Sequence, residues 1–222
     1  MVQSFTLIDA ASLGDLKVYL GRAARVENGS TRLLGGLGVL AAYTATLTPK
    51  GLLDRAPTVL GLRTFALATP EPFDTVVSIR ALLDRLAQLS LLSNSAEGPL
   101  EIPLPPGEQG VAWAGISPPR GGWEAAGTVD SAVIEEAARA GIAEVAAAVG
   151  DSTGEQLVHK VRSEVWGRDL DVLPDLEPRI PAGAAFSAVS LGFVKPGDDV
   201  SVYASGPWVR LSTRRGHVLS RR

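Results

Sequence analysis

An α+β fold is expected, with an N-terminal antiparallel or mixed sheet and two helices, a Pro/Gly-rich crossing, and a C-terminal helical unit closed by a β hairpin or meander. Three observations predict it. Strand-like apolar runs gather between residues 31 and 68 and again after residue 199. Helical periodicity holds from 12 to 24, from 74 to 89 and from 130 to 166. Between them, residues 94–122 carry six prolines and a series of glycines, a composition that interrupts continuous helix or sheet. The expected organisation is an α+β domain over 1–93, a linker over 94–127, and a helical domain with a C-terminal hairpin over 128–222.

In chain order, SFTLID (4–9) reads as a short strand. Ser12 and Asp15 have capping-box spacing, and the helix that follows sets Leu13, Leu16, Leu20 and Ala24 on one face. Asn28-Gly29 marks a turn. TRLLGGL, VLAAYTATL and PTVLGLRTFALA are three strands, rich in apolar and β-branched residues. Asp74 is the expected N-cap of a helix with the stripe Ile79, Leu82, Leu83, Leu86 and Leu89. Within the crossing, IPLPP (102–106) is a stiff connector and VAWAG (111–115) a short strand. From Asp130 the stripe Ile134, Ala138, Gly141, Val145, Ala148 defines a helix whose small residues admit a close neighbour. A second helix runs from Thr153 to Trp166. GAAFSAVSLGFV (183–194) fits a short helix or a buried strand, and DVSVYA, WVRLST and HVLSRR are closing strands.

Composition bounds the function. The 222 residues are 45% hydrophobic and 20% charged with net charge −3, as in globular proteins, which sets aside disorder, collagen and coiled coil. Cysteine is absent, so disulfides, thiolate metal sites and a cysteine nucleophile are excluded together. The opening MVQSFTLIDA lacks the basic start of a secretory signal, and a cytoplasmic location is expected. The charge-free run between Arg32 and Lys50 is broken by glycines and threonines and reads as two strands, so no membrane partner is expected.

Several strings, among them APTVLGLRTFAL (56–67), WEAAGTVD (123–130), RAGIAEVAAAV (139–149), EVWGR (164–168), PAGAAFSAVSLGFV (181–194) and GPWVRLSTRRGHVLSRR (206–222), resemble those of an uncharacterised actinobacterial protein family. The resemblance implies a bacterial, GC-rich origin, in keeping with 17 arginines against four lysines, and carries no activity or catalytic residue.

Four candidate centres have simpler readings. Gly150-Asp151-Ser152-Thr153-Gly154 matches G-x-S-x-G but follows an Ala-rich helix instead of a buried strand; Ser152 with Glu155 is a capping box. His159, one turn after Glu155, reads as an exposed histidine paired with that glutamate, because no second His or Cys completes a metal set. Asp169, Asp171, Asp175 and Glu177 form a solvated loop neutralised by Arg168 and Arg179. Gly35-Gly36-Leu37-Gly38 lacks the spacing and the cation of a phosphate cradle and suits a bulge or a tight hairpin turn.

The C-terminal tail has a distinct charge: five arginines and His217 without an acid between Arg210 and Arg222, against twelve acids and five bases over 123–180. RRG is expected to form a three-residue loop with Gly216 left-handed, which puts Val209, Leu211 and Leu219 inward and Trp208, Arg210, Ser220 and Arg222 outward. The expected function is that of a non-catalytic cytoplasmic interaction protein, homo-oligomeric or bound to a protein partner, with no cofactor. The alternatives are nucleic-acid binding through Trp208, Arg210, Arg214, Arg215, Arg221 and Arg222, and an enzyme with its site between the two halves.

Overall fold

The computed structural model describes residues 4–27, 29–51, 53–92, 98–150 and 154–222. Its chain folds as α+β in two compact units, Met1–Ala45 with Leu62–Ile116 and Thr46–Gly61 with Ser117–Arg222. In the first unit β1 (Ser4–Leu7) leads to α1 (Ala10–Val26), followed by β2 (Ser30–Gly36), β3 (Val39–Leu47), β4 (Thr58–Ala66), β5 (Phe73–Ser78), α2 (Ile79–Leu92) and β6 (Leu100–Pro103). Strands β3 and β4 are shared between the units. The main strands of this unit lie in the order β5–β2–β3–β4, and β1 pairs separately with β6, Phe5 opposite Ile102. The run between Arg32 and Lys50 is thus the β2–β3 hairpin, and no described helix is long and apolar enough to cross a membrane.

Both helices bury the faces their periodicity requires, Leu13, Leu16, Tyr19, Leu20 and Ala23 on α1 and Ile79, Leu82 and Leu86 on α2. Ala24 is only half-buried; Ala23 takes its place and Tyr19 joins, its hydroxyl 2.9 Å from Thr44 Oγ1. Burial pushes the Tyr19 hydroxyl pKa well up, so it is a neutral core donor.

Three expectations for this unit are corrected. The N-cap of α1 is Asp9, whose Oδ1 accepts the Ser12 amide at 2.7 Å; the carboxylate three residues upstream starts the helix earlier and leaves Ser12 in the first turn. Asp74 caps nothing. It lies in β5, because FDTVVS is β-branched and finds a ladder on β2, Thr31 opposite Val77. Helix α2 begins afterwards, where Ser78 Oγ accepts the Ala81 amide at 3.4 Å. VAWAG forms a 3₁₀ turn over Ala112–Gly115, its amides satisfied locally as Ala114 N–H donates to Val111 O at 3.1 Å. Asn28 of the expected turn lies outside the described residues.

In the second unit β7 (Glu124–Asp130) is followed by α3 (Ser131–Ala148), α4 (Glu155–Trp166), α5 (Ala182–Ser190), β8 (Asp199–Ser205), β9 (Trp208–Thr213) and β10 (Gly216–Arg221). The strand order is β4–β10–β9–β8–β7, with β7 at the edge. The small stripe of α3 receives a ring: a Cβ at Gly141 would overlap Trp166, which stacks on Phe186 at 4.5 Å between centroids. GAAFSAVSLGFV resolves as helix α5, with Ala184, Ala185 and Ala188 buried.

Candidate functional site

The C-terminal hairpin is built differently from expectation. Thr213 pairs with Gly216, leaving a two-residue loop of Arg214 and Arg215, neither at positive φ. Thr213 Oγ1 makes this possible, accepting the Arg215 amide and donating to Gly216 O, each at 3.1 Å. Gly216 is needed for closeness, not for a left-handed turn, since a Cβ there would stand 2.5 Å from the Phe193 ring. One residue of loop length moves Leu219 opposite Arg210, on the other face from Val209 and Leu211. Both faces are covered in this region: Trp208 is 4% exposed and Ser220 3%, so neither points outward as expected. Arg222 is engaged, donating to Asp169 and, at 2.8 Å, to Gly167 O. Arg214 and Arg221 are exposed and Arg215 half-buried.

Arg210 occupies the centre of the hairpin face. Its guanidinium carbon lies 4.5 Å from the centroid of Tyr203, directly opposite it on β8, and 4.6 Å from that of Trp123. Trp123 is held in turn by its indole N–H, which donates to Pro119 O at 3.1 Å. The Pro-rich segment therefore positions one wall of an aromatic cage. Arg210 Nε is buried and has no hydrogen-bond partner, and no described carboxylate pairs with the side chain. Burial lowers the guanidinium pKa, with Tyr203 opposing. One rung along, His217 Nδ1 lies 2.9 Å from Ser212 Oγ; burial and then the Arg210 charge hold the imidazole pKa below its ordinary value.

A second feature is a cleft of about 1350 Å³ lined by Lys50, Leu53, Asp54, Arg55, Gln156 and His159, among others. His159 is not an exposed partner of Glu155. Its Nε2 is 2.6 Å from Asp54 Oδ2, the two side chains being 19% and 18% exposed, and Glu155 instead faces Lys50 at 3.8 Å. Burial raises the Asp54 pKa, but hydrogen bonds from His159 and the Lys50 and Ala56 amides outweigh it and hold the carboxyl below its usual value. Ser163 Oγ also reaches His159 Nε2, at 3.2 Å. Asp, His and Ser therefore meet, but on one ring nitrogen. A serine-activating relay needs the acid on one nitrogen and the hydroxyl on the other, so the arrangement here ties Asp54 to α4.

The remaining candidates resolve simply. Residues 151–153 of the G-x-S-x-G match, with Ser152 and its capping box, lie outside the described residues. Arg179 lies 3.8 Å from both Asp171 and Glu177, but Arg168 does not neutralise the loop as expected, since it forms a two-pronged pair with Glu144 at 2.7 Å while Asp169 meets Arg222. No group of three or more His, Cys, Asp or Glu among the described residues is placed to hold a metal ion. Gly36 pairs with Val39 around a Leu37-Gly38 turn with φ of 52° and 77°, so of the two uses expected of that string the hairpin turn is the one found.

With this geometry in place, the chain is similar in fold to DNA polymerase sliding clamps. The DNA polymerase III subunit beta of Pseudomonas aeruginosa gives a TM-score of 0.51 at 13% identity, covering 99% of this chain and 64% of that one. The Caulobacter crescentus sliding clamp gives 0.53 at 9% identity, with 99% and 65% covered, and the Borrelia burgdorferi subunit beta 0.54 at 8%, with 99% and 64% covered. The chain thus spans just under two thirds of the length of these clamps, and identities this low show the fold alone. In sequence, residues 1–102 match a domain of unknown function (DUF8010) and residues 118–222 a second one (DUF8185). No curated protein matches in sequence.

Trp123, Tyr203 and Asp54 were missed in the sequence. The signal for Tyr203 is present in the alternation of DVSVYA against WVRLST once the register is known; nothing in the sequence links Trp123 to Arg210 or Asp54 to His159.

Proposed function

We propose that the chain is a non-catalytic, self-associating interaction protein with a clamp-type fold. The observation that carries this reading is the fold likeness to sliding clamps over 99% of the chain. An open sheet edge supports it. On β5, Glu108 N–H donates to Val76 O at 2.7 Å and partly covers the edge, whereas β7 is exposed at five of seven positions. Unpaired strand edges are templates for pairing with another chain. Light scattering on the purified protein tests the proposal: the expected mass is a multiple of 23.1 kDa at micromolar concentration, and a monomer across the accessible range overturns it.

A second reading is nucleic-acid binding through Arg214, Arg215 and Arg221. It is favoured by their place at the tip and end of one hairpin, where no described carboxylate pairs with them. Replacing Arg214 and Arg215 by Ala is expected to weaken binding alike across sequences and to flatten its salt dependence by about two counterions. Failure of the wild-type protein to retard single- or double-stranded nucleic acid at low salt removes this reading.

A further inference from the structure

We propose that the face of β8–β10 around Arg210 is a binding site for a phosphate group, formed by the caged guanidinium together with His217 and Ser212. An arginine partly withdrawn from water, as Arg210 is at Nε, ordinarily meets a carboxylate, which returns the hydration it has lost. Arg210 meets two aromatic faces instead. Rings at 4.5 and 4.6 Å hold the guanidinium plane and favour its charge without neutralising it. Strands β9 and β10 contain no acid, and on β8 Asp199 is four residues from Tyr203, roughly 13 Å along the strand. On β7, Glu124 pairs with Ala204, on the other face from Tyr203, so the cation is held between rings and no carboxylate among the described residues pairs with it.

The neighbouring groups define the anion. Nε is out of reach of solvent, so an incoming group meets the guanidinium at Nη1 and Nη2, the end suited to two parallel bonds to oxygen. Ser201, Ser212 and His217 form one rung of the three strands, and Tyr203, Arg210 and Leu219 the next on the same face. The rungs are roughly 7 Å apart, a distance one tetrahedral oxyanion and its hydrogen bonds bridge. In the tautomer in which Ser212 Oγ donates to His217 Nδ1, Ser212 orients the ring, and Nε2 carries the ring proton as a further donor. Donors from two strands at two levels suit a tetrahedral dianion better than a flat carboxylate. This site is separate from the exposed Arg214 and Arg215.

Calorimetric titration of the full chain with inorganic phosphate, acetate and a short thymidine oligonucleotide tests the proposal. Saturable binding of phosphate with no comparable binding of acetate is expected. Arg210→Lys, which keeps the charge but loses the planar fork, is expected to weaken phosphate roughly ten- to hundredfold. His217→Gln is expected to weaken it several-fold, and Arg214→Ala with Arg215→Ala to leave it unchanged. Oligonucleotide binding that also depends on Arg210 identifies the phosphate source as a nucleic-acid backbone. Oligonucleotide binding indifferent to Arg210 identifies it as a free phosphate or small ester. The proposal is overturned if wild type shows no saturable phosphate binding, or if folded Arg210→Lys and His217→Gln variants both bind phosphate as wild type does.

Discussion

Each unit of this protein sets an arginine on a sheet strand and, nearby, a glycine roofed by a phenylalanine. In the first unit Arg32 lies on β2, and Gly35 on the same strand is covered by Phe73 of β5. In the second, Arg210 lies on β9 and Gly216 of β10 is covered by Phe193. The two arginines then diverge. Arg32 forms a two-pronged pair with Asp74, 2.9 Å from Nε and 2.7 Å from Nη2, and donates to Ala114 O at 2.7 Å. Its hydrogen bond to Asp74 raises its pKa against the opposing effect of burial. Arg210 has rings in place of the acid, and burial lowers its pKa. One charge is paired within the fold; the other is held between two rings and meets no carboxylate among the described residues.

The largest expected effects are those on which the two regions agree. Gly35→Val and Gly216→Val each force side-chain atoms into a phenylalanine ring, and each is expected to lower stability by about 2–3 kcal/mol in urea denaturation. A small effect at either position breaks the parallel. Asp74→Ala is next. It removes the two-pronged pair from Arg32, and about 1–2 kcal/mol of stability is expected to be lost, at the lower end of the range because Asp74 is 48% exposed.

Arg210→Met is expected to stay within about 1 kcal/mol of wild type, since two ring contacts are lost while an unmet buried donor is removed. A loss as large as that of Asp74→Ala would make Arg210 a structural group like Arg32. The smallest effect concerns pH. Because the folded His217 pKa is lowered, the unfolded chain takes up a proton first, so stability is lost as pH falls below about 6.5. His217→Gln is expected to flatten the stability profile there, and an unchanged slope contradicts the burial of a neutral imidazole.

Local backbone chemistry was legible in the sequence; long-range partners were not. The β-branched and apolar strings at 31–68 and 199–222 became β2, β3, β4, β8, β9 and β10, because strand propensity and turn residues there agree. FDTVVS misled because Asp74 precedes a genuine helical stripe; only the β2 ladder reveals that the segment is extended first. In the tail, the strands were read correctly and the faces were not, since Thr213 closes a shorter loop than glycine placement implied and the pleat is shifted by one residue. His159 finds its acid 105 residues away, and Arg210 its second ring across the unit on Trp123. Neither distance leaves a local pattern.

The most direct measurement is an arginine Nε–H NMR spectrum of the ¹⁵N-labelled protein recorded during titration with inorganic phosphate. The Arg210 resonance is predicted to move saturably while that of Arg32, already bonded to Asp74, stays in place. An Arg210 signal that does not move, or that drifts together with those of all other arginines as ionic strength rises, would contradict the account.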